Sequence, residues 1–231
     1  MPPRREQAPR PVRLIRARLA EILNMEDPAR AGARVGDARA GVYAFYDFDG
    51  EPIYVGHTVE SFRVRIARHL TGQRSDAVAK SILDPFEVCE IELWSLSQLV
   101  PGTAERVRPY EYTVYKELEA RSRFGAVLNE GVIPPTEVVE LPPSLRARVI
   151  PDELWDDRQH SDVRIARRAS TIARLAQTIS EREVSYGMRR TLLLQAQRLA
   201  WLAGQRLDEI GSSDPQPLGL FDGGEEVDGD G

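Results

Sequence analysis

Two tyrosines stand at positions from which both could reach one phosphate group. The segment GVYAFYDFDGEPIYVG (41–56) contains two β-rich runs around Asp49-Gly50, a dipeptide that is typical of a β-hairpin turn. In the resulting register Tyr43 lies opposite Gly56, so Tyr43 and Tyr54 are diagonal neighbours on one face. Because Gly56 has no side chain, a phosphate could approach both phenols. Tyrosines are also good strand formers, so the hairpin alone does not establish chemistry.

An arginine and a histidine follow on the helix that SFRVRIARHL (61–70) predicts. Arg65 and His69 are four residues apart, so they lie one above the other at the border of the apolar stripe of this helix. A guanidinium there can neutralise charge that develops on a phosphate, and an imidazole can exchange a proton near neutral pH. Arg63 and Arg68 point away from this border and are expected to face solvent or a nucleic-acid backbone.

Two glutamates are alternative ligands for a metal ion on the helix predicted over AERVRPYEYTVYKELEARS (104–122). Pro109 fits this helix if the helix starts late and the proline occupies its first turn. Glu111 and Glu117 are six residues apart, which places them about 120° apart around a helix, so both cannot face one site. Glu111 is preferred because it flanks the apolar stripe, and Glu117 remains the alternative.

The order of these motifs resembles the GIY-YIG nucleases. GVY at 41–43 and YVG at 54–56 are followed by an arginine-bearing helix, a glutamate on a later helix and Asn129 just after it. The ten residues between the two triplets and the order strand, strand, helix, strand, helix are also similar to that family. The resemblance covers roughly residues 35–135, less than half of the chain. It implies a metal-dependent endonuclease that hydrolyses DNA phosphodiester bonds with one divalent cation, Mg²⁺, for which Mn²⁺ can substitute.

The resemblance also implies a role for each matching residue. Glu111 would hold the cation, while Tyr43 and Tyr54 would position the attacking water and help to deprotonate it. That step requires a lowered phenol pKa, which Arg65 and the cation would supply while Arg65 also neutralises developing charge. His69 would hydrogen-bond a tyrosine or the phosphate, and Asn129 would orient groups around the phosphate. The implied catalytic residues are Tyr43, Tyr54, Arg65, His69, Glu111 and Asn129, and the expected nucleic-acid contacts are His57, Arg63 and Arg68.

The family contains members with different roles. The four-residue step from Arg65 to His69 is similar to that of its restriction enzymes, which favours restriction or phage defence. The spacing from Glu117 to Asn129 is closer to that of its shorter members. The alternatives are a nuclease of DNA repair or of a mobile element, and a non-catalytic DNA-binding or assembly module on a nuclease fold.

The elements that must position these residues predict an α/β (α+β) fold, with a small antiparallel three-stranded sheet flanked by helices. FEVCEIELW (86–94) supplies the third strand, and residues 76–83 could add a short helix. Phe48 should pair with Glu51 across the turn. The expected domains are a disordered start with an N-terminal helix (1–34), the nuclease domain (35–135), a proline-rich connector (136–160), a C-terminal α-helical hairpin (161–211) and a disordered acidic tail (212–231). The hairpin would pack on the nuclease domain or mediate a homodimer.

Composition agrees with a cytoplasmic protein without a membrane span. The single cysteine, Cys89, lies in an apolar run and is expected to pack in the core. The net charge of −5 is unevenly distributed, because eight acids and no lysine or arginine follow residue 206. Without those eight charges, residues 1–206 carry +3, which is compatible with binding DNA.

Removal of residues 212–231 should strengthen nonspecific DNA binding, because most of the acids that repel phosphates are in this tail. Titration of a labelled duplex with the full chain and the truncated chain measures this, and thermal melting serves as the folding control. Weaker binding by a truncated chain that melts normally would contradict the prediction.

Overall fold

The computed structural model describes residues 9–70, 87–98, 103–129 and 133–211. Its elements are α1 (Arg10–Leu23), β1 (Glu26–Asp27), β2 (Arg30–Arg34), β3 (Gly41–Tyr46), β4 (Pro52–Thr58), α2 (Phe62–Leu70), β5 (Glu90–Ser95), α3 (Ala104–Arg121), β6 (Ser144–Arg148), α4 (Trp155–Gln159), α5 (Ser161–Glu181) and α6 (Tyr186–Gly211). Single 3-10 turns occur at Val35–Asp37 and Asp152–Leu154. The helix expected over residues 76–83 and the acidic tail lie outside the described residues.

The hairpin of β3 and β4 has the predicted register in the part that carries the tyrosines. Tyr43 lies opposite Gly56, and Phe45 lies opposite Tyr54. Alternation along the two strands therefore places Tyr43 and Tyr54 on the same face of the sheet, as expected.

The turn of this hairpin differs from the two-residue turn that was expected, and the predicted pairing of Phe48 with Glu51 is wrong. The Asp47 N–H donates to the Glu51 carbonyl at 3.0 Å, and the Gly50 N–H donates to the Asp47 carbonyl at 3.1 Å. Gly50 has a φ of 73°, the left-handed conformation that glycine adopts without steric cost. The loop therefore has three residues, and a bulge in the adjoining strands absorbs the extra residue without disturbing the register beyond it.

The sheet contains the three expected strands and a fourth. Its strand order is β4-β3-β5-β6, and every neighbouring pair is antiparallel. The third strand begins at Glu90 rather than at residue 86. Residues 144–148, which were expected to belong to a connector, form β6 and pair with β5. The polar sequence SLRAR gives no apolar signal for this strand, and pairing with Glu90–Ser95 supplies its hydrogen bonds instead.

Each face of the sheet packs against helices. On one face, Phe62 and Ile66 of α2 are fully buried against the tyrosine side of the hairpin and against α1, so the helix-stripe prediction is confirmed for these two residues. Full burial of one such side chain stabilises a fold by about 1.5–3 kcal/mol. On the other face, α3 packs on Val42, Ala44 and Val55 through its buried apolar residues Val107, Val114 and Leu118.

The helix α3 starts earlier than its proline suggested. It begins at Ala104, where the Thr103 side chain accepts a hydrogen bond from the Arg106 N–H, so Pro109 lies within the helix and not in its first turn. The Thr113 hydroxyl donates to the Pro109 carbonyl at 2.8 Å. Burial of the helix against the sheet, together with this N-cap, compensates for the backbone hydrogen bond that a proline inside a helix removes.

The helices α5 and α6 pack on the sheet domain through buried arginines. Arg168 and Arg198 both donate to Asp47 Oδ2, at 2.7 and 3.4 Å, while Arg164 forms a two-pronged pair with Asp49. The three arginines are at most 4% exposed. Of the two expected arrangements, the structure shows packing on the sheet domain, and it does not support a homodimer through these helices.

Three smaller features complete the described part of the chain. The strands β1 and β2 form a short two-stranded ribbon in the segment that was expected to contain only a disordered start and a helix. Cys89 is buried, and its burial raises the pKa of the thiol to about 12, which agrees with the expected packing role. None of the helices within the described residues is both long and apolar enough to cross a membrane.

Arg168→Met should lower the free energy of unfolding by about 3–5 kcal/mol, because it leaves buried acids without one of their cations. Arg121→Met is the matched control, since Arg121 forms an exposed pair with Glu117 at 3.1 Å. Loss of that pair should cost less than about 1 kcal/mol. Urea denaturation monitored by circular dichroism measures both values, and equal small effects would contradict a structural role for the buried arginine.

Candidate active site

Tyr43 and Tyr54 form the centre of the candidate site. Their rings stack with centroids 6.0 Å apart, and Tyr43 is fully buried. A Cβ atom placed on Gly56 would lie 2.7 Å from the Tyr43 hydroxyl and 2.8 Å from Tyr54 Cε1. The glycine is therefore required by the two phenols themselves, which occupy the space that was expected to admit a phosphate.

Arg65 reaches this centre from α2, as the helix periodicity predicted. Its Nε donates to the Tyr43 hydroxyl at 3.2 Å. Burial lowers the pKa of Arg65, but the phenols of Tyr43 and Tyr54 outweigh burial, so the net shift is upwards. Arg65 therefore carries its positive charge next to Tyr43 at all ordinary pH values.

The pKa of Tyr43 is raised and not lowered. Burial is the largest cause, the neighbouring phenol of Tyr54 adds to the shift, and the charge of Arg65 opposes it. The expectation that Arg65 lowers the pKa of the phenol is wrong for Tyr43, because loss of hydration at this buried position outweighs one cation. Tyr43 is therefore a neutral phenol near neutral pH.

Glu111 is paired with His57, a contact that the sequence did not predict. Glu111 Oε2 lies 2.8 Å from His57 Nδ1, and the side chains are 13% and 29% exposed. His57 follows Gly56 on β4, so alternation places it on the α3 face, opposite to the tyrosines. Alternation along β4 could have predicted which face of the sheet His57 occupies. The rotation of α3 that brings Glu111 to His57 could not be derived from the sequence.

The second glutamate lies on a different side of α3. Glu117 is exposed and pairs with Arg121 one helical turn further along. The two glutamates therefore do not share a site, in agreement with the 120° between them, and of the two Glu111 is the one that faces the sheet.

Asn129 holds the outer strand of the sheet in place. Its Oδ1 accepts from the Val55 N–H at 2.9 Å, and its Nδ2 donates to the Val55 carbonyl at 2.7 Å. Val55 lies between Tyr54 and Gly56, so this amide fixes the backbone that carries the candidate site. Both polar atoms of the Asn129 amide are therefore engaged with the backbone of β4.

The expected nucleic-acid contacts on α2 have different outcomes. Arg63 is used inside the fold, because its guanidinium bonds to Asp37 at 3.1 Å, to the Asn24 side chain at 3.1 Å and to the Leu23 carbonyl at 3.3 Å. It joins α2 to the end of α1, and its expected contact with DNA stays a prediction. The side chains of Arg68 and His69 lie outside the described part of the chain.

The arrangement can hold a divalent cation in one specific way. Among the described residues, no group of three histidine, cysteine, aspartate or glutamate side chains could form a complete metal site. Glu111 supplies a single, partly exposed carboxylate, and Mg²⁺ is commonly held by one or two carboxylates together with water and substrate phosphates. The donor set therefore fits a hydrated hard cation that the substrate helps to bind, and it does not fit a cation enclosed by protein ligands.

Comparison with known protein families agrees with this site. Residues 39–122 match the family model of the GIY-YIG catalytic domain, which contains the hairpin, α2 and α3. The chain therefore has a GIY-YIG catalytic domain. A domain of this family implies a nuclease. Searches among curated proteins and among solved structures gave no match.

Gly56→Ala should displace one or both phenols and reduce stability by about 1–3 kcal/mol, as is usual when an atom is inserted into a packed site. Gly204→Ala is the matched control, because a Cβ there meets no atom within 4 Å. Alanine inside a helix should stabilise the protein by up to about 1 kcal/mol. Chemical denaturation of both variants measures the contrast, and a neutral Gly56→Ala would contradict the close packing of the phenols.

Proposed function

We propose that the protein is a DNA endonuclease that hydrolyses phosphodiester bonds with the help of one divalent cation, Mg²⁺ or Mn²⁺. The observation that carries the proposal is the donation from Arg65 to Tyr43 beside Tyr54 and Gly56, within a domain that matches the GIY-YIG family. The guanidinium of Arg65 and two phenol groups in one place can bind and polarise an anionic phosphodiester.

The neutral phenol of Tyr43 acts as a hydrogen-bonding group. Its oxygen accepts from Arg65, and it is also hydrogen-bonded to Tyr54, so it holds the hydroxyl of Tyr54 in place. Tyr54, which is less buried, provides the second hydroxyl. In this mechanism the tyrosines position the attacking water and the phosphate, and the charge of Arg65 stabilises negative charge that develops in the transition state.

Glu111 is the residue that would hold the cation. A hard divalent cation supplies Lewis acidity, which polarises a nonbridging phosphate oxygen and stabilises the leaving 3′ oxygen. His57 orients the Glu111 carboxylate through the 2.8 Å contact and leaves its other oxygen to a ligand. Asn129 contributes indirectly, because it holds the strand between the two halves of the site.

One observation favours the alternative, a non-catalytic DNA-binding or assembly module. The His57–Glu111 pair and the tyrosines lie on opposite faces of β4, so a substrate phosphate must reach around the edge strand to contact both groups. The edge position of β4 is what makes this contact feasible. A role in restriction or phage defence remains a prediction, for which a methyltransferase gene next to the coding sequence would be the supporting observation.

Glu111→Gln should abolish Mg²⁺-dependent cleavage while DNA binding in Ca²⁺ persists, since the amide keeps the size of the side chain but loses the charge that attracts the cation. Glu117→Gln, on the exposed side of the same helix, should cleave within a few-fold of the wild type. Cleavage of a labelled duplex, with analysis for 5′-phosphate and 3′-hydroxyl ends, is the measurement.

Three further samples complete this experiment. Tyr43→Phe and Arg65→Ala should both reduce the cleavage rate, and excess EDTA should stop it. Reversed phenotypes for the two glutamates would assign the cation to Glu117, and cleavage that continues in EDTA would exclude the mechanism.

A further inference from the structure

The segment from Glu26 to Arg39 forms a small ribbon before the matched domain, and we call residues 26–39 the arginine ribbon. Its strands β1 and β2 pair antiparallel, and the 3-10 turn Val35–Asp37 connects them to β3. Gly32, with a φ of 73°, lies in the middle of β2. The family match begins at residue 39, so this ribbon lies almost entirely outside it.

The acids of the arginine ribbon are all used within the fold. Glu26 accepts from the Gly32 N–H at 2.9 Å, which fixes the turn of the ribbon. Asp27 is 2% exposed and accepts from the Ala29 N–H at 3.0 Å. Asp37 forms its ion pair with Arg63 of α2. None of these carboxylates forms an ion pair with an arginine of the same segment within the described residues, although Glu26 and Asp27 lie opposite Arg34 and Arg30 in the ribbon.

The basic residues of the ribbon have the opposite arrangement. Arg30, Arg34 and Arg39 are exposed, and within the described residues their side chains make no hydrogen bond, ion pair or ring contact. The three arginines and three acids of the segment balance in formal charge, but the three guanidinium groups keep their donors free for a ligand. Such a set of donors fits a polyanion, because each guanidinium can donate in a fork to phosphate oxygens.

The ribbon lies at the end of the sheet that carries the candidate site. Arg39 is two residues before Gly41, which pairs with Thr58 directly after His57. The Asp37–Arg63 pair ties the other end of the ribbon to α2, two residues before Arg65. If one phosphate of a DNA strand is bound near Arg65, the adjacent phosphates of that strand can therefore lie towards the ribbon.

Open space borders the turn of the ribbon. A cavity of about 600 Å³ separates its turn at Pro28 and Ala29 from Tyr110 of α3. The hydrogen bond from the Gln98 side chain to the Ala29 carbonyl, at 3.1 Å, ties the turn to the end of β5. The ribbon is therefore held at its turn as well as at its base, so its exposed arginines can contact a duplex without unfolding of the ribbon.

We propose that the arginine ribbon is a DNA-binding arm, in which Arg30, Arg34 and Arg39 contact backbone phosphates next to the bond that is cleaved. The proposal rests on the assignment of the chain as a DNA nuclease and adds a binding element to it. These contacts are electrostatic and independent of base sequence, so they contribute to affinity and position the duplex without selecting a target.

The test compares two triple variants that each remove three positive charges. R30Q/R34Q/R39Q removes the ribbon arginines. The control, R174Q/R182Q/R189Q, removes three exposed arginines of the C-terminal helices: Arg174 lies in α5, Arg182 directly follows α5, and Arg189 lies in α6. Binding of a labelled duplex in Ca²⁺ is measured by fluorescence anisotropy over a series of salt concentrations. Each phosphate contact contributes about 0.9 to the slope of log K against log salt.

The ribbon variant should reduce the salt slope by about 2.7, and each single substitution should reduce it by about 0.9, whereas the control should keep the wild-type slope. An unchanged slope for the ribbon variant, or an equal reduction in both triple variants, would overturn the proposal. The cleavage experiment on Glu111 is independent of this readout. Loss of slope without any cleavage by the wild type would therefore support the arm and reject the nuclease, and cleavage with a normal slope would do the reverse.

Discussion

The buried carboxylate of Asp47 determines how the parts of this protein assemble. Its Oδ1 accepts from the backbone N–H groups of Asp49 and Glu51, which shapes the hairpin turn, and its Oδ2 accepts from Arg168 and Arg198. Burial raises the pKa of Asp47, and the two arginines oppose that shift. A buried ion of this kind without partners costs several kcal/mol, so the two C-terminal helices stabilise the folded turn.

The same turn connects the C-terminal helices to the helix that carries the metal candidate. Glu51 accepts from the Ser122 hydroxyl at 2.8 Å and from the Arg123 N–H at 3.0 Å, immediately after α3 ends. The position of α3 on the sheet, and with it the contact between Glu111 and His57, therefore depends on residues beyond the family match. Contacts with the hairpin turn extend as far as Arg198 of α6, although the family match ends at residue 122.

The sequence was informative where one element determines the geometry by itself. The register of Tyr43 with Gly56 follows from alternation in a hairpin, and the approach of Arg65 follows from the position of the apolar stripe on α2. Contacts that depend on the rotation of one element against another, such as the pair of His57 and Glu111, could not be derived in this way. The buried arginines were missed for a different reason, since arginine in an amphipathic helix usually marks the solvent face. The net shift of the Tyr43 pKa required the burial of the phenol, which a sequence does not give.

The pairing of Asn129 with Val55 has a consequence for association between molecules. The strand β4 is at the edge of the sheet, where free backbone N–H and C=O groups would be a template for a strand of another chain. One amide occupies both groups of Val55 and so takes the place of a fifth strand at that position. The edge that a nuclease must leave open to its substrate is thereby closed, at Val55, to self-assembly by strand addition.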